Sequence, residues 1–283
     1  MIRRAMFVAA VSTVLVGAWI VPAASVVTDD SPPTWVKYPT ASIPVGAVLS
    51  PWECEGNQEH SLSPVYVDYR AIDPESSIDH YEVITNQARG PMDVGLVTRV
   101  DMGARTTDPA DCSGGGRRIF TAVAVNGAGL SSPGYVWESS NLRVIQDRPK
   151  ASLKYTGTWS VSTCKCWSNG KVHKTTEKGA TAQLTFEVPT SDGSPTTWAL
   201  GLVMAKGPDR GSVLIRLDGV RMAIVSANSD VKVNRTVVWS KAVSPGTHTL
   251  RLVNQATAGH PRIDVDAFVL LPRGSVPSTQ AAG

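Results

Sequence analysis

The feature that most restricts what this chain can become is the stretch from Gly179 to Leu271, where short alternations of apolar and polar residues are separated by turn-forming residues. Thr181-Ala182-Gln183-Leu184-Thr185-Phe186, Val213-Leu214-Ile215-Arg216-Leu217 and Thr249-Leu250-Arg251-Leu252 repeat with a period of two. That spacing puts one face of a strand in a core and the other in water. The breaks are Lys206-Gly207-Pro208-Asp209-Arg210-Gly211, Asp218-Gly219 and Pro245-Gly246-Thr247-His248. Asp-Gly is the usual two-residue hairpin turn, and Pro-Gly bends the chain just before the next alternating run. The spacing predicts a β-sandwich whose loops face outward.

The first half carries the same signature at lower density. Val65, Val67 and Tyr69 alternate with Tyr66 and Asp68, Tyr81 and Val83 repeat the pattern, and Phe120, Ala122 and Ala124 lie opposite Val123 and Val125. Asp73-Pro74, Gly90-Pro91 and Gly114-Gly115-Gly116 separate these runs, which predicts a second, smaller sandwich. No apolar pattern of period 3.6 lasts three turns, so the fold class is all-β. At 283 residues there is room for two β-sandwich domains, expected over 40–144 and 151–272. An extended leader with one edge strand is expected at 26–39, a polar, proline-broken linker at 145–150, and a disordered tail at 273–283.

Met1 to Ser25 has the layout of an export signal: Arg3 and Arg4, an apolar run from Ala5 to Val21, then Ala23, Ala24 and Ser25. An uncleaved anchor is the rival reading, at the short end of what spans a bilayer, but Pro22 and the small residues favour cleavage. The expectation is a secreted, extracellular protein, released or held non-covalently at the cell wall, with no transmembrane anchor once the signal is removed. Export permits disulfides among Cys54, Cys112, Cys164 and Cys166, for which three pairings exist. Shared halves of the chain favour Cys54 with Cys112, leaving Cys164 with Cys166 in a small, geometrically demanding ring. Zinc needs more donors than Cys-Lys-Cys supplies. Lys and Arg total 27 against 24 Asp and Glu, a formal charge of +3 with no long basic run, which argues against nucleic acid as a partner.

In the back half, Tyr155-Thr156-Gly157-Thr158-Trp159, Gly179-Ala180-Thr181-Ala182, the 206–211 turn, Leu217-Asp218-Gly219-Val220, Ser244-Pro245-Gly246-Thr247-His248-Thr249-Leu250 and Arg262-Ile263-Asp264-Val265-Asp266-Ala267-Phe268 follow in that order. This sequence of landmarks resembles the galactose-binding-like jelly-roll domain of secreted actinobacterial proteins, related to carbohydrate-binding modules. The front half, through Val65-Tyr66-Val67-Asp68-Tyr69, Ile78-Asp79-His80-Tyr81-Glu82-Val83 and Ala124-Val125-Asn126-Gly127-Ala128-Gly129-Leu130-Ser131, resembles a fibronectin type III domain. Tyr69 stands where that family usually has Trp, and Arg118 where it has a corner Tyr.

Motifs for nucleophilic, zinc-hydrolase, phosphate-binding or dinucleotide chemistry are missing, and His60, His80, His173, His248 and His260 are scattered beside turns. The expectation is therefore a non-enzymatic protein. The related carbohydrate modules carry a structural calcium between their first and last strands, so the resemblance implies a calcium site for which Asp264, Asp266 and Asp147 are the candidate oxygen ligands. In the plainer reading these carboxylates solvate an outer face while Ile263, Val265 and Ala267 fill the core. For saccharide binding, Asp209 and Arg210 are candidates to hydrogen-bond hydroxyls, with Trp159, Trp198 or Trp239 as a stacking platform. The plainer reading has Asp209 and Arg210 bracing loops and the tryptophans closing the ends of the sandwich. The resulting expectation is a non-catalytic, envelope-associated protein whose jelly roll binds carbohydrate or a cell-wall polymer. A structural or adhesion protein that binds a protein partner, and an accessory part of an exported polysaccharide hydrolase, are the alternatives.

Overall fold

The computed structural model describes residues 29–49, 62–85, 90–102, 104–107, 118–139, 142–190 and 197–277. The expected export signal, the Cys54–Cys112 pairing and the last tail residues lie outside them.

Strands appear in chain order as β1 (Thr34–Ser42), β2 (Leu62–Ser63), β3 (Tyr66–Ile72), β4 (Ile78–Thr85), β5 (Met92–Asp93), β6 (Arg99–Asp101) and β7 (Ala104–Thr107). Next come β8 (Arg118–Asn126), β9 (Tyr135–Ser139), β10 (Leu142–Gln146), β11 (Leu153–Thr156), β12 (Ser160–Thr163), β13 (Lys171–Thr175) and β14 (Thr181–Val188). The last are β15 (Trp198–Lys206), β16 (Ser212–Leu217), β17 (Val220–Ser226), β18 (Val233–Val243), β19 (Gly246–Asn254), β20 (Ile263–Pro272) and β21 (Val276–Pro277). Among the described residues no helix occurs, and the all-β expectation holds.

In the first sandwich a sheet of order β1-β3-β6 faces one of order β21-β9-β8-β4-β5. The alternation read from the sequence is the one that packs: Val65, Val67, Tyr69, Tyr81, Val83, Phe120, Ala122 and Ala124 are all buried. Tyr69, in the position where Trp was expected, meets Tyr81 edge-on at 5.1 Å and Phe120 at 5.6 Å. The Asn126 turn earns its place by hydrogen bonding. Its Oδ1 accepts from Ala128 N (3.1 Å) and Leu130 N (2.7 Å), and its Nδ2 donates to Asp73 Oδ2 (2.9 Å) and Asp29 Oδ2 (2.6 Å).

The second sandwich stacks the sheet β11-β14-β19-β16-β17 on the sheet that carries β12, β13, β20, β15 and β18. The first of these alternates cleanly. Ala182, Leu184, Phe186 and Val188 of β14 point inward and Gln183, Thr185 and Glu187 outward. Leu217 and Val220 close the β16–β17 hairpin through Asp218 and Gly219, both with positive φ (51° and 80°), as a type I′ turn requires.

The opposing sheet does not alternate, because both of its faces are covered. β20 is buried at all ten positions and β15 at its seven central ones. Leu200, Leu202, Met204, Phe268 and Leu270 fill the jelly-roll core. Ala199, Val203, Val237, Ala267, Val269 and Leu271, with Leu142 of β10 in the same sheet, belong instead to one continuous core with Ala41, Ile43, Leu49 and Trp137 of the first sandwich. Backbone bonds reinforce the junction: Gly46 N to Val237 O and Val237 N to Ala47 O (both 2.8 Å), Leu49 N to Arg235 O (2.9 Å) and Ala41 N to Arg273 O (2.8 Å). Trp137 Nε1 donates to Pro272 O at 2.9 Å.

Several boundaries move accordingly. The leader supplies most of β1, an edge strand with irregularities between Trp35 and Lys37 and between Lys37 and Thr40. The segment expected as a linker starts inside a sheet: Ile145 and Gln146 pair with Phe268 and Ala267, and Asp147 is fully buried. The tail expected to be disordered returns to the first sandwich, where Val276 and Pro277 pair with Val136 and Tyr135. Ala267 leaves the jelly-roll core because β20 carries an extra residue: Val203 pairs with Ala267 and Met204 with Val265, so Asp266 bulges and the alternation changes phase.

One shared core implies one cooperative unit. Leu49→Ala is expected to cost about 2–5 kcal/mol and to lower the midpoint of a single thermal transition for the whole described chain. Two separate calorimetric transitions, with only the earlier one shifted, would contradict this.

Candidate functional site

At one end of the jelly roll four connections meet, those between β11 and β12, β13 and β14, β15 and β16, and β19 and β20. Short polar side chains fix them to one another. Thr158 N donates to Glu177 Oε2 (2.6 Å), Thr175 Oγ1 donates to Thr158 O (2.7 Å), and Glu177 N donates back to Thr175 Oγ1 (3.1 Å). The hydrogen bonds from Thr158 hold the Glu177 carboxyl below the usual carboxylate range, so it is ionised at neutral pH. Asn254, buried at the end of β19, donates to both Glu177 O and Pro261 O (3.0 Å each) and thereby joins two of the loops.

Behind these loops lies a buried charge network. Asp264 is fully buried. Its Oδ2 accepts from Arg210 Nε (2.5 Å), and its Oδ1 accepts from Arg262 Nε (2.8 Å) and Nη2 (2.7 Å). Arg210 Nη1 also bonds Asp209, and Arg262 Nη1 lies 3.5 Å from Asp209 Oδ2. Burial pulls Asp209 upward, but the two guanidiniums outweigh it and leave its carboxyl below the usual range. The buried pair Arg210 and Asp264 is balanced in charge, and Arg262 and the exposed Asp209 add one charge of each sign at its edge, which is what allows the inner pair to leave water. Gly211 is indispensable here for steric reasons, since a Cβ on it would stand 2.0 Å from His260 O.

In front of the network opens a cleft of about 470 Å³, lined by Thr158, Ser160, Lys174, Thr175, Thr176, Glu177 and Arg262. It presents hydroxyls, one carboxylate and two cations. Arg262 is shared between the cleft and the network, so the buried ion pairs set the position of a wall residue.

The structure gathers only part of the site expected from the sequence. Asp209 and Arg210 stand together with Asp264, yet as braces behind the cleft, and Arg210 is 3% exposed. Trp159 is half-buried against Tyr155, 4.8 Å between ring centroids, with Nε1 on Thr156 O, while its neighbours Thr158 and Ser160 face the cleft. Trp198 begins β15 and so lies at the end of the sandwich away from the 206–211 turn, and Trp239 is buried in the middle of β18 beside Leu202. Neither is a platform for this cleft. Lys174, Thr176, Glu177 and Arg262 were not anticipated as a site. Their signal, a polar Lys-Thr-Thr-Glu run leaving β13, looks the same in sequence as any solvated loop.

The calcium triad is not assembled either. Asp264 is saturated by two arginines, Asp147 Oδ2 is bonded to His173 Nδ1 (2.7 Å), and Asp266 Oδ1 accepts from Ser168 N (2.9 Å). Among the described residues no group of three or more His, Cys, Asp or Glu side chains is arranged to hold a metal ion. Arginine charge has taken the place at Asp264 that a cation would fill. Asp147 and His173 form an inner pair, with Tyr155 stacked on the imidazole at 4.5 Å. Cys164 and Cys166 are disulfide-bonded in the turn that presents Ser168.

No protein-family model and no curated protein matches this chain. Among solved structures, it is similar to the CBM36-1 domain of a multidomain xylanase from the hindgut metagenome of Trinervitermes trinervoides, with 12% identity over 50% of this chain and 99% of that one and a TM-score of 0.30. A family 35 carbohydrate-binding module from an environmental isolate matches with 12% identity over 49% and 98%, TM-score 0.33. An exo-β-1,3-galactanase from Phanerochaete chrysosporium matches with 10% identity over 80% and 56%, TM-score 0.34. Likeness at this level carries no functional argument; the cleft has to supply it.

Two outcomes follow from the local geometry. Gly211→Ala is expected to destabilise by about 1–3 kcal/mol, because the clash is with backbone and cannot be relieved by a rotamer change; an unchanged midpoint in urea would refute the steric reading. Asp266 is pushed up to about 7, first by burial and then by Asp147 and Asp264, against the opposing Ser168 N–H and Arg235. A carboxyl raised in the fold from about 3.9 unfolded favours the neutral form. Its contribution is complete below about pH 4 and is lost as pH rises through 7, up to about 4 kcal/mol in all. Asp266→Asn is expected to flatten the stability profile between about pH 4 and 7, and a profile identical to that of the parent chain would contradict the assignment.

Proposed function

We propose that this chain binds carbohydrate, without catalysis, in the cleft between the β13–β14 connection and Arg262. The observation that carries this reading is a concave wall of threonine and serine hydroxyls with one ionised carboxylate and two cations, held rigid by hydrogen bonds among its own loops. Sugar hydroxyls are both donors and acceptors, and a wall offering both with little reorganisation binds them at low entropic cost. Among the described residues the lining contributes a single carboxylate, Glu177, whereas glycoside hydrolysis uses two about 5 to 10 Å apart; that supports binding over turnover.

The first sandwich is read as fibronectin-III-like, supported by its division into strands 1, 3, 6 and strands 5, 4, 8, 9. Its packing on the outer face of the jelly roll suits a brace for the binding module. Secretion and attachment at the bacterial envelope complete the proposal, resting on the layout of residues 1–25.

Titration calorimetry with a panel of neutral and acidic oligosaccharides, with pull-down on insoluble polysaccharides, tests the site. Lys174→Ala combined with Glu177→Ala is expected to weaken oligosaccharide binding about 10- to 100-fold, as loss of charged hydrogen-bond partners does, and, because Glu177 also accepts from Thr158 N, to cost about 1 kcal/mol of stability. Affinity unaltered in that variant, or release of reducing ends by the pure protein, would overturn the proposal.

A further inference from the structure

A second concavity of about 270 Å³ lies along β10 and shares no lining residue with the cleft; it is formed by Arg143, Val144, Ile145, Gln146, Arg148, Lys150 and Asn169. Its position follows from the sheet. β7 pairs with β10 only at Leu142 and Arg143, and among the described residues no strand continues that ladder along Val144–Gln146. The chain then leaves β10 as Arg148-Pro149-Lys150, and reciprocal bonds between Lys150 and Leu153 (3.1 and 3.0 Å) fix the turn.

The chemistry of this rim is one-sided. Among the described residues, three cationic side chains and two amides line it, with no carboxylate. Arg143, Arg148 and Lys150 are exposed and form no ion pair among the described residues. Asp147, the carboxylate next in sequence, is turned inward to His173 and fully buried. Gln146, more than nine-tenths buried, donates Nε2 to Ser168 Oγ at 3.4 Å and leaves Oε1 without a partner. Exchange of the amide's two ends would keep Ser168 satisfied and offer an N–H at that unpartnered point. Like charges gathered on a concave surface repel one another and focus a positive potential, which an anion relieves. Paired arginines supply the forked donors that tetrahedral oxyanions accept.

We propose that this concavity is an anion-binding site for a phosphate group. Three cations match the charge of a phosphate better than that of one carboxylate. The small volume admits the group and the unit that bears it, not an extended neutral saccharide. The site lies apart from the saccharide cleft and would let the same module hold a phosphate-bearing polymer.

The full chain is titrated with inorganic phosphate at pH 7 and constant ionic strength, followed by calorimetry and by backbone amide shifts. Saturable binding is expected, with the largest shifts at residues 143–150 and 169 and affinity at least 10-fold lower in a chain carrying Arg143→Gln, Arg148→Gln and Lys150→Gln. Arg148→Glu, a single exposed reversal, serves if the triple change fails to fold and should lose affinity to a similar degree. The Lys174→Ala and Glu177→Ala variant should bind phosphate normally, which separates this site from the saccharide cleft. Absence of saturable binding, equal affinity for glucuronate, unchanged affinity in the rim variants, or equal loss in the cleft variant would each overturn the assignment.

Discussion

The sheet that carries β15, β18 and β20 is apolar on both faces, and the placement of everything else depends on how that sheet is covered. A single sandwich can hide only one face of such a sheet; the other must meet another layer. Here the first sandwich provides it, through Ile43, Leu49 and Trp137 against Val203, Val237, Val269 and Leu271. The junction therefore behaves energetically as a domain core, unlike the mobile and more polar contacts common between tethered modules. One broad face of the jelly roll is thereby withdrawn from ligand binding. Both concavities occur at loop ends and sheet edges, away from the covered face.

Buried charge gives those edges their precision. Asp264 between Arg210 and Arg262 leaves each oxygen occupied, so the turn at 206–211 and the β19–β20 connection keep one relative position. Such networks are weak evidence for stability, since the cost of desolvation offsets most of the attraction, but removal of one partner leaves an uncompensated charge and costs several kcal/mol. Their effect is positional: Arg262 reaches the cleft wall already oriented. Asp266, two residues on, shows the opposite balance, with one backbone donor, one unpartnered oxygen and acidic neighbours, so it resists ionisation.

The fold was legible wherever a strand has one wet face. Ala182, Leu184 and Phe186, or Val65, Val67 and Tyr69, show their orientation by alternation alone, and Asp218-Gly219 marks its hairpin by turn chemistry. The union of the two sandwiches was written differently, in continuous apolar runs such as Ala199 to Ala205 and Ala267 to Leu271. A run without alternation signals a strand covered on both sides, yet it does not say by what, and the expected linker and tail were misplaced for that reason. The bulge at Asp266 is invisible in sequence because it depends on the partner strand. The site was legible only in part. Asp209, Arg210 and Asp264 stand out as charges near turns, but whether a charge lines a cleft or braces it is decided by loops distant in the chain, among them Lys174 and Glu177.

The arrangement also constrains how the two concavities relate. β20 is flanked on one side by β15 along its length, and on the other by β13 at Ile263–Val265 and by β10 at Ala267–Leu270. The cleft is built on β13 and its loop, the cationic concavity on β10, so both stand on consecutive segments of the same strand edge. Their separation is set by backbone hydrogen bonds and not by a linker. For a polymer presenting hydroxyls and anionic groups at regular spacing, a fixed separation converts the second contact into an intramolecular one, at high effective concentration when the spacing matches and at almost none when it does not. If both concavities bind as proposed, a rigid pair of sites on a braced sheet would select by polymer repeat length as well as by chemistry.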